Sequence, residues 1–285
     1  MVELRVGVLG ASSLVGECLL LMLRDAGCQV LALSRQARPG DQAVTWRQLP
    51  HGGQAEEFFD WICVAPIWVL PDYFSLLEVH GVKRVVVLSS TSRLTKVGSG
   101  DTAEQATAAK LIDGETRLQA WAESRGIELV ILRPTLIYGI GRDKNISEIA
   151  RFIRRFGFFP VLGEAKGLRQ PIHAEDVAGA CFTALQAPDA ANRAYNISGG
   201  ETLSYREMAI RVFDALGRRP RLLTVPLWAF RLAVSMLRCM PRYRQWSASM
   251  AERMNRDLVF DHADAVRDLG FKPRAFELTA EDLPL

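Results

Sequence analysis

The segment Gly10-Ala11-Ser12-Ser13-Leu14-Val15-Gly16 has the residue types of a phosphate cradle. It lies between an apolar run at 4–9 and a helical pattern at 14–26. Gly10 permits a tight turn, Gly16 lets a helix lie close on a strand, and a helix N-terminus faces a pyrophosphate. Ser13 stands where such loops carry a middle glycine; its side chain narrows the approach, while its hydroxyl can donate to a phosphate. Ser12, Leu14 and Val15 complete the expected contacts. The alternative is a plain turn of small residues. The second strand-like run ends in Leu33-Ser34-Arg35, about 20 residues beyond the loop, where an acid would bond the adenosine ribose of NAD. No acid is there. Ser34, Arg35 and nearby Arg38 offer a hydroxyl and guanidinium groups that suit a 2′-phosphate, so the expected cofactor is NADP(H). The alternative for the arginines is a solvated pair on a loop.

Other chemistries find less support. The five cysteines (Cys18, Cys28, Cys63, Cys181, Cys239) are odd in number, widely spaced and mostly among apolar neighbours, and read as reduced core residues. No Cys/His pair has metal-ligand spacing, so no metal is expected. The 285 residues are 49% hydrophobic and 24% charged, an ordinary globular composition that excludes disordered, collagen-like and disulfide-knotted chains. A net charge of +3 is too weak to argue for nucleic acid. No run of 18 apolar residues and no signal-peptide pattern is present, and a cytoplasmic protein is expected. The charge is nevertheless uneven: residues 215–251 hold seven arginines and no Asp or Glu.

These residues need elements to position them. Strand-like runs at 4–9, 29–33, 61–65, 84–88, 129–132 and 195–197 alternate with helical patterns near 14–26, 72–80, 103–124, 174–187 and 204–216. Such alternation predicts an α/β fold, a Rossmann-type doubly wound parallel sheet. Val85-Val86-Val87-Leu88 reads as a central strand buried on both faces. The division expected is a dinucleotide-binding domain over 1–140, with 171–198 returning to the sheet, and a small substrate-binding cap from 141–170 and 199–285.

The sequence resembles the extended or atypical short-chain dehydrogenases/reductases, the NAD(P)-dependent epimerase/dehydratase family, nearly end to end. The residues that carry the likeness are the Gly10–Gly16 turn, the strand ending in Ser-Ser-Thr-Ser at 89–92, and Leu132-Arg133-Pro134-Thr135-Leu136-Ile137-Tyr138-Gly139. Arg169-Gln170-Pro171-Ile172-His173 with Asp176-Val177-Ala178, Tyr195-Asn196-Ile197-Ser198-Gly199-Gly200, and Leu269-Gly270-Phe271 continue it. The resemblance implies hydride transfer at a carbonyl or carbinol carbon, with a nucleotide-linked sugar as the default substrate. Thr91 matches the Ser/Thr that orients a carbonyl, and Lys110 the lysine that binds the nicotinamide ribose. Ala65, Ser89, Arg133 and Pro134 would line the cofactor crevice, and Arg169 would meet a substrate phosphate. His173 is carried as a second substrate-side residue, although fixing its loop is the simpler role.

The family's tyrosine, four residues before the lysine, is replaced by Ala106. Three explanations stay open: Tyr138, Tyr73 or water takes the role; Lys110 acts itself with a pKa lowered by burial; or the chain binds dinucleotide without redox chemistry. The last matches a resemblance of 132–178 to an accessory subunit of respiratory complex I. In the cap region, 146–156 and 227–240 combine arginines with aromatic residues, which suits an anionic, partly apolar ligand or a peripheral contact with an anionic membrane surface. Core-facing helices with solvated arginines are the alternative. The expected partner is a small-molecule substrate, and a homodimer is left open.

Overall fold

The structure is a computed structural model that describes residues 4–49, 56–226, 228–229 and 253–284. Its strands in chain order are β1 (Arg5–Leu9), β2 (Gln29–Ser34), β3 (Val44–Gln48), β4 (Asp60–Cys63), β5 (Arg84–Leu88), β6 (Glu128–Pro134) and β7 (Ile137–Tyr138). They continue with β8 (Phe159–Leu162), β9 (Leu168–Arg169), β10 (Ile172–His173), β11 (Arg193–Ile197), β12 (Leu203–Ser204) and β13 (Leu222–Val225). The helices used below are α1 (Leu14–Asp25), α2 (Phe74–Val79), α3 (Ser92–Thr95), α4 (Thr102–Arg125), α5 (Ile146–Phe156), α6 (Ala174–Gln186), α7 (Tyr205–Ala215) and α8 (Ala263–Leu269).

Seven strands form one parallel sheet in the order β11-β6-β5-β4-β1-β2-β3. Period-two alternation divides its side chains between two cores. Val6, Val8, Val86 and Val130 pack with α1 and α6 on one face; Leu9, Val85, Val87 and Ile131 pack with α4 on the other. Burial on both faces explains why β5 is apolar after Arg84, and even Arg84 is buried, bonded to Ala184 O and Glu128. This is the Rossmann-type doubly wound arrangement. The strand order reverses between β1 and β4, and the crevice there opens at the carboxyl ends of the strands.

Helix termini follow local chemistry. Asp101 caps α4 by accepting from Ala103 N at 2.9 Å, and Gly126 ends it with φ +64°. The buried residues Glu104, Ala108, Leu111, Glu115, Leu118 and Ala122 recur at helical spacing, and Leu111, Leu118 and Ala122 pack into the sheet core.

A further core gathers Tyr138, Ile146, Ile149, Ile153, Phe159, Val161, Met208, Val212, Phe213 and Phe276, built around α5, α7 and the β8–β13 pair. Residues 263–271 depart from the division expected from sequence. Ala265, Leu269 and Phe271 pack into the sheet core, and Asp268 receives Arg193 and Tyr195 of β11. They therefore belong with the sheet and not with the cap. The edge strand β3 was also not anticipated. Among its residues only Val44 is buried, so its sequence shows little of the apolar pattern that marks inner strands. The basic stretch over 227–240 lies outside the described residues apart from 228–229.

Candidate functional site

All seven strands run parallel, so the loops after β1, β2, β4, β5, β6 and β11 meet at one edge. Gly10, with φ +86°, makes the turn after β1 in a conformation that L-residues rarely adopt. A Cβ there would lie 2.5 Å from Ala65 N, so Ala65 after β4 closes against the turn. A Cβ on Gly16 would lie 2.5 Å from Gly10 O and 2.6 Å from Ala11 O, so only glycine lets α1 start this close to β1. Ser13 caps α1: its Oγ accepts from Gly16 N at 3.1 Å, which leaves the hydroxyl proton available to a ligand. The N–H groups of Leu14 and Val15 open the helix and have no intrahelical acceptor. These observations fit a dinucleotide: a cradle that side chains would fill, walled by backbone donors and facing the positive end of a helix.

At the end of β2, Ser34 is buried and its Oγ accepts from Gln36 N at 3.2 Å, which shapes the turn that presents Arg35. Gln48 of β3 donates to Arg35 O at 3.1 Å and fixes the backbone there. The Arg35 side chain is exposed and has no ion pair among the described residues. Arg38 is engaged differently. Its guanidinium lies over the Trp46 ring, 5.2 Å from the centroid, and 3.7 Å from Glu17.

The carboxyl ends of β5 and β6 are joined by a buried charge cluster. Glu115 of α4, 2% exposed, accepts from Ser89 Oγ at 2.5 Å and from Arg133 Nε and Nη2 at 3.1 and 2.6 Å. Arg93 of α3 lies 3.3 Å from the same carboxylate. Ser89 and Arg133 are therefore committed to Glu115 and hold the two strand ends in register. Pro134 follows and offers its carbonyl to Thr91, which donates from N and from Oγ1, each at 3.1 Å. The Thr91 hydroxyl is buried and keeps only acceptor capacity. Its neighbour Ser90 accepts from Ser92 N at 3.1 Å and retains its proton for donation, a feature the sequence reading did not single out.

Lys110 is exposed on the flank of α4, with Nζ 6.0 Å from the centroid of Trp68. The burial that one of the open explanations requires of Lys110 is therefore absent. Tyr138 is fully buried between the His173 and Phe276 rings, at 5.1 and 4.9 Å, and its hydroxyl has no hydrogen-bond partner. Burial, and then the charges of Asp282 and Asp176, push its pKa well above the ordinary tyrosine value, which disfavours ionisation. Tyr138 is a core residue packed with α5 and α7, and its enclosure sets it apart from the exposed proton donor that one of the open explanations requires.

Arg169 and His173 also have structural partners. Arg169 is buried and donates to the carbonyls of Leu168 and Arg256 at 2.7 and 2.8 Å and to Arg253 O. Burial lowers its pKa to about 10. Its guanidinium anchors residues 253–256, a use that replaces the expected contact with substrate phosphate. His173 accepts at Nδ1 from Glu175 N at 3.2 Å, capping α6, and donates from Nε2 to Asp282 Oδ1 at 2.9 Å. Burial works against ionisation of Asp282, but bonds from His173 and Thr279 outweigh it and hold the carboxyl at about 2. The depressed pKa stabilises the fold above pH 4, and that contribution is lost as pH falls toward 2. Asp282→Asn is therefore expected to cost about 2 kcal/mol at pH 7, with the deficit narrowing below pH 4, as urea unfolding at the two pH values would show.

Residues 73–198 match the model of the NAD dependent epimerase/dehydratase family. Among curated relatives, a UDP-glucose 4-epimerase of Vibrio cholerae is 26% identical over 161 residues, 56% of this chain and 47% of that protein. A 2-alkyl-3-oxoalkanoate reductase of Stenotrophomonas maltophilia is 26% identical and covers 95% of each chain. A mitochondrial NADH dehydrogenase [ubiquinone] 1 alpha subcomplex subunit 9 of Arabidopsis thaliana is 27% identical over 35% of this chain and 25% of its own length. The chain spans about half the length of the first two curated relatives it matches. In fold it is similar to MoeE5 in complex with UDP-glucose and NAD (TM-score 0.68, 22% identity, 95% and 94% coverage). It is likewise similar to a UDP-glucuronic acid 4-epimerase of Bacillus cereus in complex with NAD (TM-score 0.71, 12% identity, 98% and 95% coverage).

The matched residues include Thr91, Lys110, Arg133, Arg169 and His173, but the match starts after the glycine turn. The cradle at Gly10–Gly16 is thus a geometric finding independent of that match. Among the described residues no group of three or more His, Cys, Asp or Glu could hold a metal ion, and no helix is long and apolar enough to cross a membrane.

Proposed function

We propose that the chain binds NADP(H) in the crevice between β1 and β4 and acts as an oxidoreductase or epimerase-like enzyme on a carbonyl or carbinol carbon. The observation that carries this reading is the Gly10–Gly16 cradle with exposed Arg35 beside it. The backbone N–H groups of Leu14 and Val15 and the Ser13 hydroxyl bind the pyrophosphate, and Arg35 pairs with the 2′-phosphate. Ala65 and Pro134 border the groove, with Ser89 and Arg133 positioned by Glu115 behind it. When bound, the cofactor supplies or accepts hydride. Lys110 bonds the nicotinamide ribose through Nζ. Thr91 accepts from a carbinol hydroxyl, and Ser90 donates to a carbonyl oxygen. The names of the relatives support an anionic, nucleotide-linked sugar as substrate; the apolar cap core also suits a lipid-linked one. Buried thiols, with Cys18 and Cys63 pushed by burial up to about 11 and 12, suit a reducing cytoplasm.

A second reading, NADP(H) binding without turnover, is favoured by Ala106 on α4 and the buried Tyr138. Loss of absorbance at 340 nm with NADPH and a panel of sugar-nucleotide and aliphatic carbonyls separates the two. The enzyme reading predicts turnover that falls by about 100-fold in Lys110→Ala, within the range for loss of an acid–base or orienting group. NADPH that binds stoichiometrically and is never oxidised across the panel supports the second.

A further inference from the structure

The described surface of the cap carries a feature unused by the cofactor crevice. Phe156 at the end of α5, Leu223 of β13 and Trp228 are 52%, 55% and 72% exposed. The first two belong to one patch. Phe152, Phe156 and Phe158 form a ring cluster with centroids 4.6 to 6.3 Å apart, and Phe159 N donates to Arg221 O. Leu223 sits opposite Pro160 in the β8–β13 pair. Arg218 donates to Ile153 O and ties this strand to the end of α5.

Arginines surround the apolar tip. Arg151 and Arg155 on α5, and Arg219 and Arg221 before β13, are exposed, and the Arg155 guanidinium lies 5.3 Å from the Phe156 ring centroid. The only acidic residue of α5 is Glu148, in its first turn. The local charge is therefore positive, and the sequence continues it with no Asp or Glu anywhere in 215–251.

The geometry points to an anionic lipid surface as the partner of this tip: the arginines meet headgroup phosphates while Phe156 and Leu223 enter the interface. Exposed aromatic and aliphatic side chains inside a basic ring have that chemistry. A second copy of the chain would set the same arginines against one another across an isologous contact, which like charge opposes. Nucleic acid leaves Leu223 without a role, since aliphatic side chains gain little from stacking.

Co-sedimentation of the full chain with vesicles tests this. Vesicles of phosphatidylcholine with a quarter phosphatidylglycerol should bind at least about tenfold more protein at 20 mM salt than pure phosphatidylcholine, with binding lost by about 0.5 M salt. Arg151→Glu with Arg155→Glu should abolish the difference. Phe156→Ser with Leu223→Ser should weaken binding severalfold while leaving NADPH affinity unchanged. The proposal is overturned by equal binding to neutral and anionic vesicles, or by none. It is also overturned by charge-reversed protein that still binds, by a Phe156-dependent dimer in sedimentation without lipid binding, or by preference for single-stranded nucleic acid over vesicles.

Discussion

Gly16→Val is expected to lower dinucleotide affinity by about 100-fold, equivalent to about 2.7 kcal/mol, and to destabilise the fold by about 1–3 kcal/mol. The Cβ alone would sit 2.5 Å from Gly10 O and 2.6 Å from Ala11 O. Both are backbone atoms in the turn that makes the cradle, so no side chain can swing aside. The first turn of α1 must lift from β1, carrying the N–H groups of Leu14 and Val15 and the Ser13 cap away from the phosphates. Gly179→Ala on α6 is the control. Nothing lies within 4 Å of its added Cβ beyond its own helix, so alanine should stabilise by about 0.5–1 kcal/mol. Fluorescence titration with NADPH and thermal melts of the two variants check both statements. A Gly16→Val protein with ordinary affinity would mean that the loop is a plain turn.

Glu115→Ala should be the most destabilising single change at the site. The carboxylate is 2% exposed and neutralises Arg133 and Arg93, while accepting from Ser89. Removing one partner of a buried ion pair leaves charge without compensation and costs about 3–5 kcal/mol. For a chain of this size that corresponds to a fall of roughly 10 °C in melting temperature. Glu115→Gln retains shape and one acceptor and should fall between the two. A melting temperature within about 2 °C of wild type for Glu115→Ala would remove the cluster from the account.

Much of the α/β pattern was legible because its signals are local. The valines of β5, the glycine turn and the α4 stripe each announce themselves within a few residues. Features formed at long range were not. Edge strand β3 buries one side chain, and its pairing depends on β2. The partner of His173 is Asp282, 109 residues away, so sequence showed a histidine before a helix without the carboxylate that fixes it. Arg169 was read from its motif as a phosphate ligand, and only the fold brings the carbonyls of Arg253 and Arg256 to it. Glu115 was visible on α4, but its grip on Arg133 requires the packing of α4 against β5 and β6. The resemblance read from sequence leads one to expect a tyrosine where Ala106 stands. The fold adds that Tyr138 is enclosed and Lys110 exposed.

The most direct test of the cofactor assignment is a paired titration of the wild-type chain and Arg35→Ala with NADPH and NADH. One charge-assisted contact to a 2′-phosphate corresponds to about 10–100-fold in affinity. The account predicts that wild type prefers NADPH by that factor and that Arg35→Ala loses the preference while NADH affinity stays the same. Equal affinity for the two dinucleotides in wild type, unchanged in the variant, would contradict it.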